Sequence, residues 1–449
     1  MRAPFVPHTE AEVAEMLAFL GLSSLDDLFA AVPEAVRLAG GLDLPDHRSE
    51  ADVTERLFEL GEKNKPVGRS LVCFAGAGAY DHEVPAVVRS LASRSEFVTA
   101  YTPYQPEVSQ GVLQAVFEYQ TMVARLSGLE IANGSLYDGA ASLMEGVNLA
   151  VAATGSSRVL LSTGVNPRWR EVLATFSHGP GHDLVELPLR DGYTDFSAAG
   201  DEPAGAVVVA FPNYLGCLDD LRGARELADR TGARLVACYD PVASGLLRSP
   251  GSLGADVAVG EGQPLGVALS FGGPYLGLFS CRAKDVRRLP GRLVGETLDS
   301  EGRLSYVTTL RAREQDIRRE RASSNVCTNQ TLMAVTAAIQ LGWLGTEGLQ
   351  QVAIGSARAA RYAKEALLRI DEVEAATAAP GFREFALRLP VEAEVAVERL
   401  VEEGYLAGVA VREGYEGTDL EGTLLVAATE RRTRQEIDGF AASLEKAIR

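Results

Sequence analysis

The sequence predicts an α/β protein: a mostly parallel, doubly wound sheet with helices on both faces, preceded by a helical arm and followed by a small α+β domain. Three observations carry this. Between about residues 66 and 330, short β-prone runs alternate with helical stretches, the pattern of crossover-connected parallel strands. Ahead of them stand capped helical segments without a strand signal, and after about residue 345 the order becomes helix, strand, helix, strand, helix. With 449 residues, 46% of them apolar, the chain can bury a large core and should divide into at least two domains. The expected division is an arm over 1–65, a large α/β domain over 66–330 and a small domain, with its connecting helix, over 331–449.

In the arm, Thr9 and Glu12 have capping-box spacing, and Val13, Met16, Leu17 and Leu20 share a helical face before Gly21 ends it. A second helix starts at Ser49, with Val53, Leu57 and Leu60 in phase and Gly61 as the stop. Such an arm either packs on its own core or embraces a partner chain. In the large domain the expected strands are Leu71–Phe74, Arg158–Ser162, Ala206–Phe211, Arg234–Tyr239 and Asp256–Val259, with helices such as Ser109–Leu126 and Asp219–Arg230 between them. Ligands of such a sheet belong at the carboxyl ends of its strands. In the small domain, Arg383–Leu389 and Thr423–Ala428 read as strands, and a capping box from Thr433 to Glu436 opens a last helix carrying Ile437, Phe440 and Leu444.

Forty-three basic side chains against 61 acidic ones leave a net charge of −18, which repels a phosphate backbone and argues against nucleic acid as a partner. No apolar run reaches the roughly 18–20 residues of a membrane span, and the first residues lack the signal-peptide pattern, so the expectation is a soluble, cytoplasmic protein. Cys73, Cys217, Cys238, Cys281 and Cys327 are scattered, with no CxxC pair, and read as buried thiols rather than metal ligands or a redox couple. Lysine is confined to positions 63, 65, 284, 364 and 446, which makes any lysine-dependent mechanism easy to trace.

The motifs divide into weak and informative ones. GAGAYD, from Gly76 to Asp81, lacks the third glycine of a dinucleotide fingerprint and reads as a tight turn. His178 and His182 flank Gly-Pro-Gly, which prevents the helical turn that would bring both imidazoles to one metal. The arginine-rich run from Arg311 to Asn325 is interleaved with acids and reads as a solvated or salt-bridged helix. After it, Asn325–Ala334 either caps the next helix or reaches a phosphate. More telling is YDGAASLMEG from Tyr137: Asp138 as N-cap, then Gly139 and small residues that let an anion approach the first backbone N–H groups. Asp240 closes a central strand, where a carboxylate pairs with a protonated pyridine nitrogen. Together these outline a pyridoxal phosphate pocket. The proline-bounded loop FVTAYTPYQPEVSQ gathers Tyr101, Tyr104, Gln105, Glu107 and Gln110, either as a contact surface, as a substrate-facing loop, or as both.

CFAGAGAYDHEVPAVV, FVTAYTPYQPEVSQG, SSNVCTNQ and the segment from Tyr239 through LSFGGPYLG, in this order, resemble the P-protein of the glycine cleavage system, specifically the amino-terminal half that occurs as a separate α chain. The resemblance implies a fold-type I PLP-dependent transferase-like fold, with a mainly parallel seven-stranded sheet and a smaller carboxy-terminal α+β domain. It also implies the activity: glycine joins pyridoxal phosphate, its carboxyl group leaves as CO2, and the aminomethyl group passes to the lipoyl arm of H-protein. Fold-type I enzymes hold the cofactor on a lysine a few tens of residues beyond the cofactor aspartate; this chain has none between Lys65 and Lys284, and Gly262-Gln263-Pro264 stands in that place. The implied reading is a chain without a catalytic residue of its own, in which Asp138, Gly139 and Asp240 are a vestigial cofactor site. Pyridoxal phosphate would sit on a β partner (subunit 2) in an α2β2 tetramer, with the loop at Tyr101–Gln110 reaching substrate or interface. The competing reading is a structural or regulatory scaffold that only stabilises a catalytic partner.

Overall fold

The computed structural model describes residues 7–38 and 42–449. The chain divides into two compact units, Met1–Asn64 and Lys65–Arg449. In the first, helix Glu10–Leu20 starts at the Thr9/Glu12 capping box and ends on Gly21 in the left-handed region (φ 70°), as its sequence predicts. Helix Glu50–Gly61 opens on a second capping box, Ser49 with Asp52. Neither helix buries a side chain, and Phe19 and Phe58 are 90% and 71% exposed.

The second unit is built on a seven-stranded sheet. In chain order its strands are β1 (Ile131–Ala132), β2 (Arg158–Ser162), β3 (Asp183–Leu187), β4 (Ala206–Phe211), β5 (Arg234–Tyr239), β6 (Val257–Glu261) and β7 (Gly277–Cys281). Their spatial order is β1-β7-β6-β5-β4-β2-β3, and the strands from β6 to β3 are all parallel, with β7 antiparallel to both neighbours. Val207, Val209, Leu235 and Ala237 pack on one face with helix Leu221–Thr231, while Val208, Val236, Val257 and Val259 pack on the other with helix Gly139–Thr154. Burial on both faces is why these strands read as continuous apolar runs rather than alternating ones.

A four-stranded antiparallel sheet completes the unit: β8 (Glu374–Ala375), β9 (Glu384–Arg388), β10 (Val409–Ala410) and β11 (Leu424–Ala427), in the order β8-β9-β11-β10. Helix Arg434–Ile448 covers it, starting from the predicted Thr433/Glu436 capping box. Helix Thr331–Leu367 leads from the large sheet to the small one and is broken at Gly345 (φ 60°). One expected strand changes place. Val72–Cys73 pairs with Tyr405–Leu406, and the ring of Phe74 stacks on Phe440 with centroids 4.3 Å apart, so the segment packs with the small domain and not with the large sheet. Its apolar residues fit either sheet, and only tertiary pairing decides between them.

Another expectation is corrected, and one element is new. The arginine-rich run forms no single helix: 3-10 turns at Arg311–Arg313 and Arg319–Arg321 flank a four-residue α-turn, Gln315–Arg318. Arg313 is drawn inward, donating to the carbonyl oxygens of Leu289 and of Gly291 (2.7 Å), which competes with helix formation. A hairpin, Val294–Leu298 with Leu304–Thr308, was not legible in the sequence.

Candidate functional site

The carboxyl ends of β4, β5 and β6 converge with the amino terminus of helix Gly139–Thr154, the turn at Gly76–Asp81 and the start of β9. Asp138 caps that helix, accepting the N–H of Ala141 at 2.8 Å, and Gly139 opens it. The first N–H of the helix does not face open space. It donates to Glu261 Oε2 at 2.9 Å, while Glu261 Oε1 accepts the N–H groups of Gln263 and Leu276, each at 2.9 Å. Burial pushes the Glu261 carboxyl up to about 7, and the three N–H donors oppose that rise. A Cβ at Gly139 would fall 2.1 Å from the indole ring of Trp169, so the space above the helix is already filled.

Asp240, at the end of β5, is engaged on both oxygens. Oδ1 accepts the N–H groups of Val242 (2.8 Å) and Ala243 (3.0 Å), and Oδ2 accepts from the guanidinium of Arg383. Arg383 enters from the small domain, lies 3.4 Å above the centroid of the Tyr80 ring and donates to His82 Nε2 at 2.5 Å. Because a guanidinium only donates, Nε2 of His82 must accept, which places the imidazole proton on Nδ1, facing Glu430 Oε2 at 2.6 Å. The adjacent Glu384 is buried, accepts the Ala77 N–H at 2.6 Å and the Tyr80 hydroxyl, and is raised to about 7 by burial against those hydrogen bonds. GAGAYD is therefore a turn, as expected, with Ala77 and Gly78 at positive φ, and the Ala77 N–H within it docks the small-domain Glu384 carboxyl.

The segment Gly262-Gln263-Pro264 has a structural task. The Gln263 amide accepts the Tyr80 N–H (2.9 Å) and donates to the carbonyls of Tyr80 (3.1 Å) and Val267 (2.9 Å), fastening the turn to the end of β6. Gly262 meets the side chains of Leu276 and Leu278 where a Cβ would stand, and Pro264 lines the remaining cavity. That cavity has a volume of about 80 Å³ and is bounded by Tyr80, Trp169, Tyr214, Asp240, Pro264 and Arg383. Ligand pockets for cofactor-sized molecules are typically about 300–1,000 Å³. Pyridoxal phosphate does not fit here: no lysine faces the site, the helix terminus is taken by a carboxylate, and the pyridine-pairing aspartate is taken by arginine.

The loop residues lie elsewhere, and none of them lines this cavity. Tyr101 is 82% exposed, and the guanidinium groups of Arg292 and Arg311 each lie over the Tyr104 ring, 5.6 Å from its centroid. Gln105 and Glu107 are exposed in and beside a single 3-10 turn. Gln110 is not free to meet a ligand: its amide donates to the carbonyls of Pro106 (2.7 Å) and Tyr306 (2.9 Å) and accepts the Tyr306 N–H (2.9 Å), tying the loop to the hairpin. In the segment after the arginines, Asn329 bonds Gly134 O (2.7 Å), Ser135 Oγ and Arg292, so it braces the start of its helix against β1. His182 bonds Asn148 at 2.8 Å, and among the described residues no group of three or more His, Cys, Asp or Glu side chains is arranged to hold a metal. Four of the cysteines are buried, as expected; Cys327 is a correction, exposed because it lies on the irregular segment ahead of helix Thr331–Leu367 and not on a strand or helix facing the core. No described helix is long and apolar enough to cross a membrane.

Glu384 makes the site pH-sensitive. A carboxyl with an ordinary value near 4.5 that titrates at about 7 when folded holds its proton more tightly in the folded state. Its contribution therefore falls as pH rises through that window, by about 3 kcal/mol in all. Glu384→Gln keeps an acceptor for Ala77 and carries no charge. We expect it to flatten the decline in unfolding free energy between pH 5 and 8, as followed by urea denaturation; an unchanged slope would count against a protonated Glu384.

Comparison with known proteins gives a consistent result. The family profile described as "Glycine cleavage system P-protein" matches residues 3–444. The chain is similar to a protein of Moorella thermoacetica named "Probable glycine dehydrogenase (decarboxylating) subunit 1", 46% identical over 98% of each chain. It is also similar to a crystal structure of glycine decarboxylase (P-protein) of the glycine cleavage system in inhibitor-bound form, with TM-score 0.91, 46% identity and coverage of 99% of this chain and 100% of that one. The sphingosine-1-phosphate lyase of Burkholderia pseudomallei shares the fold alone, at TM-score 0.65 and 14% identity over 93% and 94% of the two chains. The large and small sheets are those of a fold-type I enzyme.

Proposed function

The chain belongs to the glycine cleavage system P-protein family, and from that premise we propose that it is the α subunit of glycine decarboxylase, the one without a Schiff-base lysine. With a β subunit it decarboxylates glycine and passes the aminomethyl group to the lipoyl arm of H-protein. The observation that carries the division of labour is at Gly262-Gln263-Pro264: a lysine is missing, and Gln263 spends its amide on the Tyr80 turn. Pyridoxal phosphate, which supplies an electron sink for the carbanion, belongs on the β partner in this reading. An α2β2 tetramer in the cytoplasm is the assembly it entails.

The part left to this chain is positioning and exclusion of water. Tyr101, Tyr104, Val108 and Phe271 are exposed rings and apolar groups, a composition suited to an interface. The hydroxyls of Tyr101 and Tyr104 orient a small polar substrate or the lipoyl end across that interface. The guanidinium groups of Arg292 and Arg311 hold the Tyr104 ring in place.

The test is reconstitution: this chain, its β partner and lipoylated H-protein are mixed, and release of CO2 from carboxyl-labelled glycine is followed. The expectation is release by the mixture and none by this chain alone; equal rates from the isolated chain would sink the division of labour. In the same assay the pair Tyr101→Phe and Tyr104→Phe should lower turnover about tenfold, the loss of a hydrogen bond to a reacting group. Unchanged turnover would favour the scaffold reading.

A further inference from the structure

We propose that this chain is self-liganded: the Glu261 carboxyl and the Arg383 guanidinium stand where a ligand's phosphate and protonated ring nitrogen would lie, and they close the pocket to phosphate esters. The inference rests on the functional reading only for the identity of the excluded cofactor; its geometry stands independently.

A helix terminus of this kind presents backbone N–H groups that need an acceptor, together with a dipole that favours negative charge. In a loaded site a phosphate meets both needs. Here Glu261, nine-tenths buried at the end of β6, meets them from within the chain. Its carboxylate collects the N–H groups of Gly139, Gln263 and Leu276 at one distance, 2.9 Å, bridging the helix, the turn after β6 and the entry to β7. A phosphate brought to the same N–H groups would meet this carboxylate, the nearby Asp138 and the Trp169 ring that already touches Gly139.

The other end of the pocket is closed by the same logic with opposite sign. Asp240 would bind a protonated ring nitrogen; it binds Arg383 instead, and Arg383 is only 2% exposed, held by the Tyr80 ring and His82. Arg383 starts from the small domain, so this internal cation also fixes that domain against β5. Where a loaded enzyme completes its charge pattern with a ligand, this chain completes it with two side chains 122 residues apart. It needs no ligand to hold its lobes together, and emptying the partner's site leaves its own stability unchanged.

The experiment compares thermal unfolding of the full chain and of Glu261→Gly in buffers without and with millimolar inorganic phosphate. Wild type should show no shift with phosphate. The variant, which frees three N–H donors and vacates the volume of the Glu261 carboxyl between them, should unfold about 5 °C or more lower and recover part of that loss with phosphate. A phosphate-dependent rise in wild type overturns the proposal. A variant as stable as wild type, or one that is destabilised but indifferent to phosphate, overturns it equally. Should the variant not accumulate, fluorescence of Trp169, isolated in a Trp343→Phe background, decides: a saturable response to phosphate refutes a closed pocket and a flat titration supports it. Lipoyl-dependent CO2 release by the reconstituted complex is measured in parallel, so failure of the functional reading and failure of the closed pocket are seen separately.

Discussion

Arg383→Met is expected to destabilise the chain by about 3–5 kcal/mol, the scale of breaking a buried ion pair from one side. The arginine is 2% exposed and bonds Asp240 and His82, so its removal strands a carboxylate that is itself part-buried and an imidazole nitrogen without its donor. Methionine retains most of the apolar stem over Tyr80, which confines the loss to charge and hydrogen bonding. Chemical denaturation of the variant reads the effect. The companion Asp240→Asn, combined with Arg383→Met, should restore a substantial part of it, because two neutral groups leave no uncompensated charge. A single-variant loss below about 1 kcal/mol would mean that Asp240 finds solvent or another partner and that the clamp between lobes is not electrostatic.

How much of this was readable beforehand follows from where each signal resides. Strands β2, β4, β5 and β6 announce themselves because burial on both faces demands unbroken runs such as AVVVAF and RLVACY. Strand β3 is DLVEL, an edge strand with charged residues and only Leu187 fully buried, so its composition resembles a loop. Strand β1 is two residues long, and β7 begins at a glycine that sits against Asp138 and Ser142. Of the site, Asp138 and Asp240 were legible, since an N-cap before small residues and an acid ending an apolar strand are local patterns. Glu261 carries the same signal as Asp240, an acid at the end of an apolar run, but it lies among glycines and reads as part of a turn. Arg383 and Trp169 have no local signature and reach the pocket only through the topology, as does Glu384 in reaching Ala77 and Tyr80 beside it. Gln110 was legible as polar and prominent, yet its amide turns inward to Tyr306, a partner created by a hairpin that the sequence does not reveal.

The second large effect is expected at a glycine that lets the two lobes touch. Gly216→Ala should cost about 3 kcal/mol or more, through two additive causes. The residue has φ 80°, in the left-handed region where a side chain is strained by roughly 1 kcal/mol. A Cβ there would also fall 2.1 Å from the carbonyl oxygen of Glu384 and 2.8 Å from its Cβ. Neither neighbour can retreat easily. Gly216 O accepts the Phe382 N–H at 3.1 Å, Leu218 N–H donates to Pro380 O at 2.8 Å, and Cys217 bridges to Gly381. The segment after β4 thus runs antiparallel to residues 380–382, the stretch that leads into Arg383 and Glu384 at the start of β9. Displacing that stretch by the ångström or more that a methyl needs would draw Arg383 away from Asp240 and Glu384 away from Ala77. The loss should therefore exceed the local strain and be accompanied by a weaker response to Arg383→Met in the double variant, measured by denaturation of all four species. Full additivity of the two substitutions would show that the backbone pairing and the clamp are independent, and would refute the coupling of backbone approach to charge closure.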